Sequence, residues 1–342
     1  MKRPGFGLAV FTTLLAALVV ILGAYTRLTH AGLGCPDWPG CYGFLGVPMS
    51  ERAQEVAALR FPDAPLEVGK GWNEMVHRYV AGLLGLLISL IALHAIRQHA
   101  RPEQPLRLPV LLLCLVIAQA AFGMWTVTLK LWPQVVVAHL LGGFATLALL
   151  FLLSLRLSGR VPSLPAAPAS LRLLAWLALL LVIGQISLGG WVSANYAALA
   201  CVDLPTCQGR WWPPMDFANG FHIAQEKGPN YLGGQLEGAA RTAIHVTHRL
   251  GALVVALTLV LLAWRLGAAG QKALAAGLLA VLGIQLSLGV ANVLLHLPLA
   301  VALAHNAGGA ALLLMLVLIL YRLRHPAGVF VARPLSARLD LA

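Results

Sequence analysis

Four histidines carry the ligand chemistry that this sequence offers. His77 and His139 in the first half have counterparts in His248 and His305 in the second half. Each lies in an apolar part of the chain, where an ionisable side chain is costly and usually has a function. A single histidine on an apolar helix is most often a packing residue, but four at matched positions favour ligands for a cofactor.

A constant spacing of 166 residues relates the two halves of the chain. The matched positions hold glycines, cysteines, a glutamine and a histidine: Gly23 and Gly189, Cys35 and Cys201, Cys41 and Cys207, Gln119 and Gln285, Gly123 and Gly289, His139 and His305, Gly142-Gly143 and Gly308-Gly309. His77-Arg78 and His248-Arg249 depart from this spacing, because they lie 171 residues apart. The pattern predicts an internal duplication in which the first loop of the second half is the longer one.

The composition predicts an integral membrane protein. Of the 342 residues, 59% are hydrophobic and 11% are charged, with a mean hydropathy of +0.82, whereas roughly a quarter of the residues of soluble domains are charged. Eight apolar runs reach the ~20 residues that a helix needs to cross a bilayer: 8–26, 76–95, 109–129, 135–155, 171–192, 243–264, 273–294 and 299–321. They are unbroken rather than alternating, which predicts helices and not a barrel. The basic start also resembles a signal peptide, although no small-residue cleavage site follows it.

The net charge of +12 is explained by the loops and does not indicate nucleic-acid binding. With the N-terminus inside, that side of the membrane holds two acidic residues, Glu103 and Asp340, against a set of basic residues that consists of Lys2, Arg3, Arg97, Arg101, Arg107, Arg156, Arg160, Arg172, Arg265, Lys272, Arg322, Arg324, Arg333 and Arg338. The other side has no net charge. The positive-inside rule therefore predicts a protein of the cell (inner) membrane with both termini in the cytoplasm.

This topology places two Cys-x5-Cys loops outside the cytoplasm, where disulfides form. Bonds Cys35–Cys41 and Cys201–Cys207 would close short loops, although four cysteines permit three pairings. Metal ligation by the cysteines is the alternative, but no matching pair of histidines lies in those loops. Cys114, within a predicted span, is interpreted as a small core residue.

Two imidazoles that project from helices of a four-helix bundle are typical axial ligands of haem iron. His139 lies ~9 Å along a helix from Pro133 at 1.5 Å per residue, so it can face His77 at a similar depth. His248 and His305 can pair in the same way. Zinc would require further Cys, His or carboxylate ligands, and the glycine-rich faces beside these histidines offer few.

Residues next to the histidines each allow two interpretations. Gly142-Gly143 and Gly308-Gly309 leave room for a flat macrocycle, or they allow helices to pack closely in lipid. Arg78 and Arg249 pair with haem propionates, or they extend to the membrane surface.

The two halves differ at one position where the difference matters chemically. One turn before the histidine, the first half has Glu74 and the second half has His245. A carboxylate there can relay protons or stabilise a developing cation, and the alternative is a structural glutamate at a helix N-terminus. The loop from Arg27 to Cys41 also loses most of its pattern in the second half, from Ser193 to Cys207. We interpret the first half as reactive and the second as a cofactor holder.

These residues resemble the haem A synthase family over nearly the whole chain. The resemblance rests on Gly23-Ala24-Tyr25-Thr26-Arg27-Leu28-Thr29, Gly32-Leu33, Asp37-Trp38-Pro39, Glu74-x-x-His77-Arg78, His139, His248-Arg249 and His305. The family oxidises the methyl group at C8 of haem O to a formyl group, which yields haem A for terminal oxidases.

The resemblance implies a role for each histidine pair. His248 and His305 are expected to bind a haem b that transfers electrons, and His77 and His139 are expected to line the site of the substrate haem O, with Glu74 in a catalytic role. The cysteine pair of the first loop corresponds to one that bacterial members often carry and that can be redox-active, whereas the second pair occurs in only some members.

The eight spans and the internal repeat predict an all-α membrane protein of two tandem four-helix bundles, residues 1–160 and 161–342, both starting from the cytoplasm. The expected partners are haem O, delivered by a haem O synthase, and a membrane electron acceptor. A homo-oligomer is a further expectation.

A di-haem electron carrier of the quinol-oxidising type is the main alternative function, since it also uses four histidines. It would not need Glu74 in one half only, nor the loop from Arg27 to Cys41. A secondary transporter built from repeats fits less well, because its helices commonly break at the midplane.

Overall fold

The computed structural model describes residues 3–101, 104–164 and 167–324. This part of the chain forms α-helices, with two isolated β-bridges in loops. The helices in chain order are α1 (Phe6–Leu28), α2 (Glu51–Arg60), α3 (Val68–Arg97), α4 (Arg107–Thr128), α5 (Pro133–Ser158), α6 (Ala169–Ala194), α7 (Phe217–Gly220), α8 (Gly238–Ala268), α9 (Lys272–Leu294) and α10 (Leu299–Leu323).

Eight of these helices, all except α2 and α7, are long and apolar enough to cross a membrane. They confirm the eight spans predicted from the sequence. Two of them begin well before their apolar runs, α3 at Val68 and α8 at Gly238. Their first turns pack beneath the two long disulfide loops and the segments that follow them, as the buried Gly71 and Ala240 indicate. Hydropathy alone therefore placed these helix starts too late.

The short helices α2 and α7 lie in the two long loops and were not expected from the sequence. Each has a side-chain N-cap: Ser50 accepts from the backbone N–H of Ala53, and Asp216 accepts from that of Asn219. Such caps satisfy backbone donors that a helix leaves free at its N-terminus. Neither helix has the long apolar run that predicted the spans.

The long helices pack as two rings of four. α1, α3, α4 and α5 form the first ring, in which α3 and α5 both contact α1 and α4. α6, α8, α9 and α10 form the second, in which α8 and α10 both contact α6 and α9. α3 and α5 therefore lie diagonally opposite each other, as do α8 and α10. The rings meet where α5 contacts α6 and α10, and where α1 contacts α10.

The apolar core of the first ring extends across this boundary. Its cluster includes Leu147, Leu150 and Phe144 of α5 together with Ala310 and Leu313 of α10. The two rings therefore share packed side chains.

Several local geometries recur 166 residues apart. His30 and Tyr196 both have left-handed backbones, with φ of 55° and 54°. Asp37 accepts hydrogen bonds from the backbone N–H groups of residues 42 and 43, and Asp203 accepts from those of residues 208 and 209. These correspondences are those expected of a duplicated chain, and the duplication itself stays a prediction.

The sides of the membrane on which the loops and termini lie also stay predictions. Lys2, Glu103, Arg333, Arg338 and Asp340, which entered the charge argument, lie outside the described residues, as does the end of the second predicted domain. Arg3 and the remaining residues of that argument lie within the described part of the chain.

The shared core predicts a large cost for a cavity in α5. Leu150→Ala removes a side chain with no exposed surface and should destabilise the protein by ~2–5 kcal/mol, because neighbouring helices cannot fully collapse into the space. Leu180→Ala on α6 is the control, since 63% of that side chain is exposed towards the lipid side. Thermal unfolding of purified protein in detergent measures both. Equal midpoints for the two variants would contradict the shared core.

Candidate functional site

The four histidines lie on the diagonal helices of the two rings. His77 is on α3 and His139 on α5, and His248 is on α8 and His305 on α10. His77 is within electrostatic range of His139, and His248 of His305. The structure therefore brings together the two pairs that the sequence predicted, each across the interior of one ring.

A glycine of a neighbouring helix lies against each imidazole. A Cβ placed on Gly23 of α1 would be 3.0 Å from Cε1 of His77, and a Cβ on Gly189 of α6 would be 3.3 Å from Cε1 of His248. The other two contacts are alike, at 3.5 Å for Gly123 with His139 and 3.2 Å for Gly289 with His305. A side chain at Gly23, Gly189 or Gly289 would displace the imidazole by a few tenths of an ångström, whereas a Cβ at Gly123 would make an ordinary van der Waals contact.

Glutamines contact both histidines of the second pair. Nε2 of Gln185 lies 3.1 Å from Nδ1 of His248 and donates to the backbone carbonyl of His248 at 2.9 Å. Nε2 of Gln285 lies 3.4 Å from Nε2 of His305. The 166-residue spacing reveals Gln285 through its match with Gln119, but it does not reveal Gln185, whose counterpart is Val19. The signal was available in its position, one turn before Gly189.

Several buried polar atoms beside the histidines have no hydrogen-bond partner. They include Nδ1 of His77, His139 and His305, and, in the second ring, the amide oxygens of Gln285, Asn292 and Asn306. Among the described residues there is no cluster of three or more His, Cys, Asp or Glu side chains that could hold a metal ion. Two imidazoles without a third protein ligand fit axial coordination of haem iron better than a zinc site.

Glu74 lies in the second turn of α3, with 4% of its surface exposed, and not at the helix N-terminus. Its Oε1 accepts a hydrogen bond from Arg78 at 2.6 Å, and its Oε2 accepts one from the backbone N–H of Cys35 at 2.9 Å. Glu74 is thus held one turn from His77 and in contact with the first disulfide loop. The structure therefore places Glu74 one turn beyond the helix end that the alternative interpretation assumed, and its catalytic role stays a prediction.

Arg78 holds the first disulfide loop through backbone carbonyls. Its Nη1 donates to the carbonyls of Asp37, Pro39 and Gly40 at 3.0, 3.2 and 2.6 Å. Together with the ion pair to Glu74, these bonds occupy both terminal nitrogens of the guanidinium. The pairing of Arg78 with a propionate stays a prediction.

The second ring has the same contact between an arginine and a disulfide loop, but it has no carboxylate in the place of Glu74. Arg249 donates to the carbonyls of Thr206 and Cys201 at 2.9 and 3.0 Å. His245 takes the place of Glu74, with its Nδ1 3.0 Å from the carbonyl of Ala197. A buried acid beside a candidate ligand histidine is therefore found in the first ring alone, within the described residues.

The cysteines pair as the sequence favoured, in disulfides Cys35–Cys41 and Cys201–Cys207. In the second loop, hydrogen bonds from the Thr206 hydroxyl and from the backbone N–H of Gly209 lower the pKa of Asp203 to about 2. Asp203 therefore remains charged at neutral pH and holds the turn. Cys114 was expected in the core, but it is exposed, because it lies on the outward face of α4.

A cluster of Arg27, His30 and Tyr196 joins the two rings at the C-terminal ends of α1 and α6. Arg27 donates to the Tyr196 hydroxyl at 2.7 Å and to the carbonyl of Ser193 at 2.6 Å, and its guanidinium lies 4.3 Å from the Tyr196 ring centre. The rings of His30 and Tyr196 stack at 5.5 Å. Arg27, at the start of the first-loop sequence, therefore contacts the second ring. The spacing of residues along the chain does not predict this contact.

The segment from Asn219 to Gln235, which the sequence did not explain, begins in α7 and crosses from the second ring to the first. Tyr231 donates through its backbone N–H to the carbonyl of Lys130 at 3.0 Å, and the Trp132 indole donates to the carbonyl of Gln225 at 3.1 Å. These contacts fix the segment over the corner between α4 and α5. α5 begins there at Pro133, six residues before the candidate ligand His139.

Comparisons with known proteins identify the family of this chain. The chain matches the family described as cytochrome oxidase assembly protein over residues 7–317. It is 48% identical to the haem A synthase of Shewanella oneidensis, over 92% of this chain and 95% of the relative. It is 31% identical to the haem A synthase of Beijerinckia indica, over 86% and 85%, and to that of Methylobacterium radiotolerans, over 90% and 86%.

The glycine contacts predict a specific effect on haem binding. Gly189→Ala should weaken haem binding by the second ring by ~1–3 kcal/mol, since overpacking displaces the His248 ring. Gly184→Ala on the same helix is the matched control, because a Cβ there meets no atom within 4 Å. Haem content per purified protein measures both variants. Equal haem contents would show that the glycine does not control the position of the ring.

Proposed function

Because the chain belongs to the cytochrome oxidase assembly protein family that its sequence matches, we propose that it acts as a haem A synthase. In this reaction, the C8 methyl group of haem O is oxidised to a formyl group, giving haem A for terminal oxidases. The observation that carries the proposal is the asymmetry between the rings. On the helix of His77, the buried carboxylate of Glu74 pairs with Arg78 and accepts a hydrogen bond from the disulfide loop. On the helix of His248, Arg249 contacts its loop, but His245 stands in place of the carboxylate.

The second ring is the holder of a permanent haem b. His248 and His305 would bind its iron from opposite helices, and Gly189 and Gly289 keep both rings close to the backbone. Such a haem, when bound, supplies electron transfer. What the protein adds is a fixed orientation for each imidazole, because glutamine amides contact both rings.

The first ring is the site of the substrate, haem O, between His77 and His139. Conversion of a methyl to a formyl group adds one oxygen atom and removes four electrons. With water as the oxygen source, four protons are released and the electrons pass to the membrane acceptor, so a group that takes protons near the reacting carbon would assist the reaction. Glu74 is suited to this role as the catalytic residue. It is almost fully buried, and Arg78 and the Cys35 amide fix its two oxygens. A carboxylate held in this way can accept a proton or stabilise positive charge on the substrate.

The arrangement in the membrane belongs to the same proposal. Two tandem four-helix bundles, 1–160 and 161–342, would arise by duplication, with both termini in the cytoplasm and the disulfide loops outside the cell membrane. Haem O would come from a haem O synthase, and electrons would leave to a membrane acceptor. Assembly as a homo-oligomer is compatible with this arrangement. Arg78 and Arg249 remain candidates for contact with propionates.

The quinol-oxidising di-haem carrier explains less of the molecule. Such a protein needs two similar pairs of ligands, which this chain has, but it has no use for a buried acid in one ring. The relatives with the identities given above are named haem A synthases. We therefore retain the carrier only as the outcome expected if Glu74 has no role in the chemistry.

Loss of either ligand in the second ring should remove its haem. His248→Ala or His305→Ala deletes one of the two imidazoles that would hold the haem iron, and the amide side chains nearby do not replace an imidazole nitrogen. Absorption and paramagnetic resonance spectra of the purified variants should lose the low-spin signal. His99→Ala is the control, since that histidine is exposed beyond the end of α3. A normal bis-histidine spectrum in both ligand variants would refute the assignment.

Neutralising Glu74 should stop the chemistry while sparing the haem of the second ring. Glu74→Gln keeps the shape and removes the charge, so haem A formation should fall ~10²-fold or more, as when a general base is lost. Haem O or a partly oxidised haem should accumulate.

The measurement is chromatography of haem extracted from cells whose single copy is the variant. Glu67→Gln is the control, because Glu67 lies on the outer surface with its side chain 60% exposed and pairs with Lys70. Undiminished haem A in the Glu74 variant would remove Glu74 from the mechanism.

A further inference from the structure

Three of the four histidines share an arrangement that extends one turn beyond the glycine contact. The neighbouring helix carries a glutamine four residues before the glycine that backs the ring, and the histidine helix carries a glycine three residues after the histidine. The three sets are Gln119, Gly123, His139 and Gly142; Gln185, Gly189, His248 and Gly251; Gln285, Gly289, His305 and Gly308.

The glutamine fills the space that the second glycine leaves. A Cβ at Gly142, Gly251 or Gly308 would overlap the side chain of the facing glutamine. The glutamine and the glycine are therefore a matched pair, because the amide occupies this position only where the facing residue has no side chain. Loss of either member alters both.

His77 is the exception. Its backing glycine is Gly23, but the position four residues before it is Val19, and the position three residues after His77 is Val80. Both members of the matched pair are replaced by apolar branched residues. Nδ1 of His77 is buried without a hydrogen-bond partner, as is Nδ1 of His139 and of His305. Among the four histidines, it is His248, the counterpart of His77, whose Nδ1 lies 3.1 Å from a glutamine, Gln185.

The difference affects how firmly each ring is held as an iron ligand. A histidine that binds a metal through one ring nitrogen carries its proton on the other, and a partner for that N–H fixes the ring and raises its basicity. Oε1 of Gln185 has no partner, and it is the acceptor available to Nδ1–H of His248 once the amide turns. That turn exchanges the bond to the His248 carbonyl for a bond to the ring. Val19 offers no such acceptor to His77.

We infer that Gln185 and Gly251 make His248 a permanent ligand of iron. Val19 and Val80, which stand at the corresponding positions beside His77, make His77 the exchangeable ligand of the substrate site. Gln185 is then a positioning residue, acting on iron through His248. This inference rests on the proposed function, which requires one ring to retain its haem and the other to release its product. The amide and glycine are present at both histidines of the second ring, where retention is needed, and at His139 of the first ring. They are absent at His77, one turn from Glu74, so His77 is the ligand of the substrate site that lacks this support.

The test transfers the pair between the rings and follows haem release, not turnover. In a His77→Ala/His139→Ala background, where only the second ring can hold haem, Gln185→Val/Gly251→Val should accelerate transfer of haem b to excess apomyoglobin ~10–100-fold, the range for loss of an outer partner. In a His248→Ala/His305→Ala background, Val19→Gln/Val80→Gly should slow transfer of added haem O by a similar factor.

Gln185→Leu is the second variant, since it keeps nearly the same volume beside Gly251 and removes only the amide. It should also accelerate release and raise the midpoint potential of haem b, because the ligand loses basicity. A glutamine with a purely structural role would leave the potential unchanged.

Unchanged release and potential in Gln185→Leu would overturn the inference, even where the double exchanges fold poorly. Faster release with a raised potential supports it. Failure of the protein with all four histidines to bind haem would contradict the proposed function instead. The two failures are therefore distinguishable.

Discussion

The close contact between imidazole rings and helix backbones is the constraint on which the rest of the structure depends. A polar ring inside a membrane bundle must sit at a fixed depth and face its partner across the interior, and a side chain on the neighbouring helix would prevent this. Glycine at four matched positions removes that obstacle, since a Cβ added there would lie 3.0–3.5 Å from Cε1 of the imidazole. Because these glycines lie on α1, α4, α6 and α9, the packing order of each ring is tied to the placement of its ligands.

The two disulfide loops are fixed to α3 and α8 by the arginine that directly follows the histidine on each helix. Arg78 and Arg249 donate to carbonyls of the two disulfide loops, so the position of each loop follows from that of the ligand helix. Only in the first ring does a carboxylate join this contact, through Glu74 and the Cys35 amide. The scaffold is thus shared, and the chemical difference arises from single substitutions within it: Glu74 against His245, and Val19 against Gln185.

The two rings are coupled through packing as well as through polar contacts. Phe144 and Leu150 share a core with Leu313, and Arg27 reaches Tyr196 at the outer ends. In lipid, close packing and hydrogen bonds supply much of the energy of helix association. A fixed relation between the rings is what electron transfer between two haem sites would require, since its rate depends on distance.

The sequence by itself indicated the eight spans, the four repeat-matched histidines and the presence of Glu74 in one half only, and it favoured the disulfide pairing. Hydropathy, residue spacing and differences between repeats are local or additive signals, which is why the sequence carries them. It placed the starts of α3 and α8 too late and Cys114 in the core, because burial under loops and orientation toward lipid depend on neighbouring helices. Three contacts were decided by the tertiary structure alone. Arg78 donates to the first disulfide loop, Arg27 donates to Tyr196 of the second ring, and Gln185 contacts His248, whereas the corresponding position in the first ring holds Val19. Such contacts join residues far apart in the chain, so no periodicity encodes them, and they exist only once the helices have packed.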